Sequence, residues 1–157
     1  MNSINFKISK IISTIFYLGF LSKMPGTLGS IVGLFFGSVM LIYFQYNIFL
    51  IFLFISTVIA FYSVSQYQKK IGKSDKSEII IDEFVGQLIP LTVININAID
   101  LLLSFILFRF FDILKFFPAN VIDRKYSNYF GVVFDDIIAG IQASFVILFY
   151  YFLYDKL

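Results

Sequence analysis

Residues 24–68 read MPGTLGSIVGLFFGSVMLIYFQYNIFLIFLFISTVIAFYSVSQYQ, and this run contains no Asp, Glu, Lys or Arg. A helix needs roughly 20 apolar residues to cross the hydrocarbon core of a bilayer. The run is therefore long enough for two crossings joined by a turn, which we place at Gln45-Tyr46-Asn47. Helices satisfy their own backbone hydrogen bonds in lipid, whereas irregular chain does not. The run predicts an integral membrane protein built from helices.

The composition of the whole chain agrees with a membrane protein and restricts its chemistry. Of the 157 residues, 59% are hydrophobic and 14% are charged, whereas a soluble domain carries about 25% charged residues. The chain has no Cys and no His, which removes disulfides, thiol chemistry and the commonest general base and metal ligand. Any reaction must therefore use carboxylates, amines, hydroxyls or a bound cation.

The rest of the chain predicts further helices at membrane depth. We expect five segments that span or partly span the bilayer, at 27–44, 48–66, 82–96, 100–117 and 135–154. The third is the weakest of these and could be partial or re-entrant. Residues 11–21 are too short to cross, but Ile8, Ile11, Ile12 and Ile15 recur at helical spacing. We therefore expect an all-α, polytopic membrane helical bundle with a short interfacial N-terminal helix, forming a single domain over residues 1–157.

The basic residues predict an orientation in the membrane. They lie before the first segment, between the second and third, and between the fourth and fifth: Lys7, Lys10, Lys23, Lys69, Lys70, Lys73, Lys76, Lys115, Arg124 and Lys125. The opposite turns, around Asn47 and Asn97, hold none, and only Lys156 falls on that side. Because cytoplasmic loops are enriched in Lys and Arg, we predict a cytoplasmic N-terminus, five crossings and an outside C-terminus.

Nearly every unusual polar residue falls at the cytoplasmic end of a segment. PGTLGS (25–30) opens the first segment, Asp82-Glu83 opens the third and Asp135-Asp136 opens the fifth. Arg109, Asp112 and Lys115 close the fourth segment. We expect these four stretches to converge on one membrane face at similar depth.

The two pairs of adjacent acids have two interpretations. Helix capping alone explains one such pair, because carboxylates are favoured at helix N-termini. Two pairs on one face are harder to explain in this way, because neighbouring like charges repel each other and need a compensating cation. Carboxylate oxygens without His or Cys suit Mg²⁺. Asp82, Glu83, Asp135 and Asp136 are therefore candidate ligands of Mg²⁺.

The cations near these acids suit a phosphate group. Arg109 and Asp112 lie three residues apart and share a helix face. They could form only an internal ion pair, but ionisable residues inside membrane segments are costly and usually functional. The planar fork of Arg109 matches phosphate oxygens, whereas Lys115 could simply extend to the headgroups.

The glycine-rich start of the first segment also has two interpretations, and both can hold. A helix N-terminus with Thr27 and Ser30 beside it could present N–H groups and hydroxyls to an anion. Gly29, Gly33 and Gly37 are spaced four residues apart, which is typical of close packing between membrane helices.

These residues favour metal-assisted phosphoryl chemistry on a lipid headgroup, since the chain offers no water-soluble domain for a soluble substrate. An ion or proton transporter is an alternative, because it would also need acids in the membrane. Transporters, however, usually place their sites near the midplane between repeated halves. An accessory membrane subunit that uses its charges to bind a partner or anionic lipid is another alternative. We expect no nucleic-acid partner.

Four strings of this sequence resemble the phosphatidylglycerophosphatase A family in its order and close to its spacing: PGTLGS (25–30), DEFVG (82–86), FRFFDILK (108–115) and FDDIIAG (134–140). The resemblance covers about residues 20–140. It implies a bacterial inner-membrane, Mg²⁺-dependent phosphatase that converts phosphatidylglycerophosphate to phosphatidylglycerol and inorganic phosphate. The matching acids are Asp82, Glu83, Asp112, Asp135 and Asp136; the matching cations are Arg109 and Lys115, and Asp123 and Arg124 match as well.

The resemblance leads to a hypothesis about roles. Some of the paired acids would hold Mg²⁺, and Asp112 would orient or deprotonate the attacking water or act as the nucleophile itself. The phosphate group would be bound by Thr27, Ser30, Arg109, Lys115 and Arg124. The chain departs from the family pattern at two places: Phe116 stands where the family has Pro, and the turn at 127–131 keeps only Gly131 of a glycine-rich turn. If those glycines let the backbone approach the phosphate, their loss would alter the fit of the substrate without removing the chemistry.

Overall fold

The computed structural model describes residues 3–72, 76–126 and 128–154, and within these ranges the chain forms helices and turns without strands. The helices are α1 (Ser3–Ser13), α2 (Pro25–Tyr43), α3 (Tyr46–Ile71), α4 (Ile81–Leu88), α5 (Ala98–Leu114), α6 (Ala119–Lys125) and α7 (Tyr129–Tyr154), with short 3-10 turns at Leu18–Phe20 and Pro90–Thr92. The prediction of an all-α membrane bundle is confirmed. Two residues used in the orientation argument, Lys73 and Lys156, lie outside the described ranges.

Three of the described helices are long and apolar enough to cross a membrane, namely α2, α3 and α7. Helix α5 has 17 residues, which is the lower end of the spanning range of roughly 17–25 residues. Pro25 occupies the first turn of α2, where its missing N–H has no helical partner to lose and its fixed φ suits the helix.

The third predicted segment, 82–96, does not form one helix. Helix α4 has 8 residues and therefore rises only about 12 Å, which cannot cross a hydrocarbon core of about 30 Å. Pro90 comes two residues after the end of α4 and begins a 3-10 turn. A proline cannot donate the N–H that the helix would need to continue. The partial form of this segment is the one observed.

Helix α4 is buried at the centre of the bundle, between α2 on one side and α7 on the other. The glycines of α2 allow this close approach. A Cβ atom at Gly29 would lie 2.7 Å from the carbonyl oxygen of Ile80, and one at Gly33 would lie 2.6 Å from that of Phe84. Both distances are too short for carbon against backbone oxygen, so the predicted packing role of this stripe is confirmed.

Hydrogen bonds between the elements identify the two ends of the bundle. At one end, Tyr46 Oη donates to the carbonyl of Thr92 (3.0 Å) and Asn95 N donates to Tyr151 Oη (3.2 Å). The first turns of α2 and α4, the second turn of α7 and the last turn of α5 therefore meet at the opposite end. We call this the polar end.

The N-terminal helix α1 also lies at the polar end, as a short helix packed against α3. Phe6 of α1 contacts the ring of Tyr67, with ring centres 5.6 Å apart, and Ile80 N donates to the carbonyl of Ser13 (2.9 Å). The chain just before α4 is thereby tied to α1.

Candidate functional site

A cavity of about 370 Å³ opens at the polar end, between α2, α4, α5 and α7. Its lining contains five acids and two cations: Asp82, Glu83, Asp112, Asp135, Asp136, Arg109 and Lys115. The remaining lining residues are Met24, Pro25, Gly26, Thr27, Ser77, Ile79, Ile113 and Val132. The four stretches that the sequence predicted to converge do meet in this one cavity.

Three of the acids form a cluster. One carboxylate oxygen from each of Asp82, Glu83 and Asp136 lies within 4.8 Å of the other two. Asp82 and Asp136 are buried, and Glu83 Oε2 is a buried atom with no hydrogen-bond partner among the described residues. Oxygen atoms from several carboxylates, without nitrogen or sulfur, are the ligands that Mg²⁺ accepts. The cluster therefore fits a hard divalent cation.

The two pairs of adjacent acids lie at different positions within their helices. Asp82 and Glu83 lie in the first turn of the short helix α4, where capping effects operate. Burial, with the neighbouring carboxylate of Asp82, raises the pKa of Glu83 well above its usual range. Helix α7, in contrast, begins at Tyr129, so Asp135 and Asp136 lie in its second turn and not at its start as predicted. A capping role does not account for this second pair, because the dipole effect falls off within the first turn.

Asp135 contacts a different partner from Asp136. Its Oδ2 atom lies 2.7 Å from Nζ of Lys115. Lys115 follows the last residue of α5 and has a left-handed backbone conformation, with φ of 46°. The structure thus brings Asp82, Glu83 and Asp136 together and joins Asp135 to the lysine at the end of α5.

Arg109 is held at the floor of the cavity by two side chains. Its Nη1 atom donates to the carboxylate of Asp112 and to Ser30 Oγ, the latter at 3.3 Å. Ser30 Oγ in turn donates to the carbonyl of Gly26 (2.9 Å). Arg109 Nε is buried without a hydrogen-bond partner among the described residues. Arg109 therefore forms the internal ion pair with Asp112 that the sequence allowed, and it lines the cavity at the same time.

The predicted phosphate-binding residues fall into three positions. Thr27, Arg109 and Lys115 line the cavity. Ser30 is fully buried behind it and contacts Arg109. Arg124 is exposed on α6 and is not part of the lining. The side chain of Asp123 lies outside the described part of the structure. Ser127, in the turn at 127–131 that differs from the family pattern, also lies outside it.

Sequence reasoning missed several lining residues. Met24 precedes Pro25 in the sequence and Ile113 follows Asp112. Their positions next to predicted site residues could therefore have indicated them. Ser77 comes from the loop between α3 and α4, and no pattern in the sequence marks it.

The charges that line the cavity determine what can bind there. Five carboxylates face two cations, so a phosphate group would meet a surplus of negative charge unless a cation were also present. With a divalent cation on the carboxylate cluster, Arg109 and Lys115 could contact phosphate oxygens. The arrangement suits metal-assisted chemistry on a phosphate ester.

Comparison with known proteins gives an independent result. The family model for phosphatidylglycerophosphatase A matches residues 11–151. The phosphatidylglycerophosphatase A of Haemophilus influenzae is 38% identical over 130 residues, which cover 82% of this chain and 80% of that protein. The protein of the same name from Escherichia coli is 28% identical over 127 residues, covering 80% of this chain and 73% of that protein. No solved structure matches this chain significantly.

Proposed function

The chain belongs to the phosphatidylglycerophosphatase A family, and on that premise we propose that it hydrolyses the phosphomonoester of phosphatidylglycerophosphate to phosphatidylglycerol and inorganic phosphate. The observation that carries the proposal is the cavity at the polar end, where a cluster of three carboxylates lies beside Arg109 and Lys115. The reaction would form part of glycerophospholipid biosynthesis.

We propose that Asp82, Glu83 and Asp136 hold Mg²⁺. The support is their oxygen-only donor set, the distances of 4.8 Å or less between their oxygens and the buried Glu83 Oε2 that has no hydrogen-bond partner in the described residues. A bound Mg²⁺ would offset negative charge on the phosphate group and polarise its oxygens. Asp135, which the sequence also nominated as a ligand, would instead keep Lys115 in place through their 2.7 Å ion pair.

Arg109 and Lys115 would hold the phosphate oxygens. Ser30 and Asp112 restrict Arg109, and Asp135 restricts Lys115. Both cations are therefore oriented before the substrate arrives, and pre-oriented charges stabilise a transition state more effectively than mobile ones do. Thr27, which also lines the cavity, would add a hydroxyl to the same phosphate group.

Asp112 would orient and deprotonate the attacking water. The water would give one proton to Asp112 as its oxygen bonds to phosphorus and the bond from phosphorus to the glycerol oxygen breaks. The departing glycerol oxygen would take up a proton from solvent, and Asp112 would later return its proton to solvent. A nucleophilic attack by Asp112 itself would give an aspartyl-phosphate instead. Trapping experiments on protein quenched during turnover distinguish the two routes, since only the second leaves phosphate bound to the chain.

We propose that the protein lies in the bacterial inner membrane with the polar end facing the cytoplasm. The support is the distribution of basic residues, which cluster at this end: Lys7, Lys10, Lys23, Lys69, Lys70, Lys76, Lys115, Arg124 and Lys125. Loops rich in Lys and Arg stay on the cytoplasmic side.

The test is release of phosphate from phosphatidylglycerophosphate by the detergent-purified protein, first with Mg²⁺ and then with excess EDTA. We expect release that depends on Mg²⁺ and is lost in Asp136→Asn, which keeps the size of the side chain but removes its charge. No release from a folded sample that has lipid and metal would contradict the proposal and favour a transporter or an accessory subunit.

A further inference from the structure

The rim of the cavity holds two kinds of exposed side chain. Ser77 is polar and exposed, at the loop before α4. Met24, just before α2, and Ile113, in the last turn of α5, are apolar and each 65% exposed. The apolar lining residues on the α4 and α7 side are not exposed in this way, since Ile79 is 2% and Val132 is 8% exposed. The exposed part of the lining is thus polar at Ser77 and apolar at Met24 and Ile113.

Met24 and Ile113 lie on either side of the seam between α2 and α5. The hydrogen bond from Arg109 to Ser30 joins the two helices at the floor of this seam. Further exposed apolar side chains continue from the rim toward the other end of the bundle: Ile31 and Phe35 on α2, and Leu102 and Ile106 on α5. The positions 102, 106 and 113 share one helix face, because they are separated by four and seven residues.

We propose that this seam is the portal for the lipid substrate, which binds with its glycerol backbone between Met24 and Ile113. Its acyl chains lie along the exposed apolar side chains of α2 and α5, and its phosphate group reaches Arg109 inside the cavity. This inference rests on the proposed function, and it adds where the diacylglycerol part of the phospholipid binds.

The physical reason is that the two parts of such a lipid need different surroundings. Each acyl methylene that leaves the hydrocarbon core for water costs free energy, and a phosphate group cannot enter the hydrocarbon. A site that takes the phosphate must therefore open sideways to the acyl chains. The α2–α5 seam combines an exposed apolar rim with direct access to the cationic floor. Inorganic phosphate can then leave past Ser77, on the polar side of the rim.

The test compares Met24→Gln and Ile113→Gln with Leu114→Gln as a matched control. Leu114 is the next residue on α5, is 53% exposed and does not line the cavity. Two substrates are used: long-chain phosphatidylglycerophosphate in mixed micelles, and its deacylated form, which carries the same phosphomonoester. We expect the ratio of kcat/KM for the lipid to kcat/KM for the deacylated form to fall about tenfold in the first two variants. Leu114→Gln should keep the wild-type ratio.

Equal ratios in all three variants would overturn the portal. If the wild type hydrolyses the lipid but not its deacylated form, kcat/KM for the lipid is compared between variants. Equal values for Ile113→Gln and Leu114→Gln would then overturn the portal. A second measurement needs neither variants nor turnover: a phospholipid with a diazirine near the acyl carbonyl is photocrosslinked to the wild-type protein. Labelling at Met24 or Ile113 supports the portal, and labelling confined to other helices overturns it. A wild type that hydrolyses neither substrate would contradict the proposed function, whereas crosslinking would still decide the portal.

Discussion

Ser30→Ala should slow the proposed reaction although Ser30 does not line the cavity. Its hydroxyl accepts from Arg109 Nη1 at 3.3 Å, so the substitution removes one of two side chains that hold this cation. A hydrogen bond to a charged group contributes about 1.5–3 kcal/mol. The distance is longer than the usual N–H···O distance of about 2.9–3.0 Å, so we take the lower end, about 1.5 kcal/mol, which corresponds to roughly a tenfold fall in kcat/KM.

The assay is Mg²⁺-dependent phosphate release by purified variants, with Ser38→Ala as the control. Ser38 lies on the same helix and donates to the carbonyl of Leu34 (2.6 Å), just as Ser30 donates to that of Gly26, but within the described residues Arg109 donates to Ser30 and not to Ser38. Arg109→Lys completes a double-mutant cycle. If Ser30 acts through Arg109, then Ser30→Ala should have little further effect in the Arg109→Lys background. An undiminished tenfold loss in that background, or an equal loss in Ser38→Ala, would refute the reasoning.

Three further predictions test the metal cluster, the helix packing and the edge of the site. Mg²⁺ should raise the Tm of the wild type, because a ligand bound only by the folded state stabilises it, and an equal rise in Asp136→Asn would contradict the three-carboxylate cluster. Gly33→Ala would place its Cβ 2.6 Å from the backbone oxygen of Phe84 and should destabilise the bundle by about 1–3 kcal/mol; an unchanged Tm in detergent would disprove the close approach. Arg124→Ala should lower kcat/KM far less than Arg109→Ala, because Arg124 is exposed outside the cavity. Equal losses in the two variants would show that Arg124 also binds the phosphate group.

The long helices could be predicted from the sequence, because length and apolar composition largely determine which segments form helices in a bilayer. The charge-free run at 24–68 became α2 and α3 with a short turn between them. For residues 82–96, the apolar composition predicted one helix. The structure instead has a short helix, and a 3-10 turn that begins at Pro90 follows it. The start of α7 was placed too late, because residues 127–131 were read as a turn and the segment was begun at Asp135, whereas the helix already begins at Tyr129.

The division of work between adjacent acids could not be predicted from the sequence. Neighbouring helical residues point about 100° apart, so Asp135 and Asp136 must face different partners. Which of them faces the cluster depends on how α7 is rotated about its axis, and the packing of α7 against α4, α5 and its other neighbours sets that rotation. The structure turns Asp136 toward Glu83 and Asp135 toward Lys115. The role of Ser30 was obscured for the same reason, because its direction depends on the packing of α2.

If the cavity binds a divalent cation and a phosphate as proposed, its charges should make the two binding events depend on each other. Both cations of the lining already contact an acid, Arg109 with Asp112 and Lys115 with Asp135. Three acids of the lining, Asp82, Glu83 and Asp136, each place one carboxylate oxygen within 4.8 Å of the other two. Three carboxylates so close together repel one another and would repel a phosphate, whereas a divalent cation among them would offset most of that charge. Each ligand would reduce the repulsion that opposes the other, so under the proposed function the surplus of acids would couple the binding of the anionic substrate to the binding of the metal.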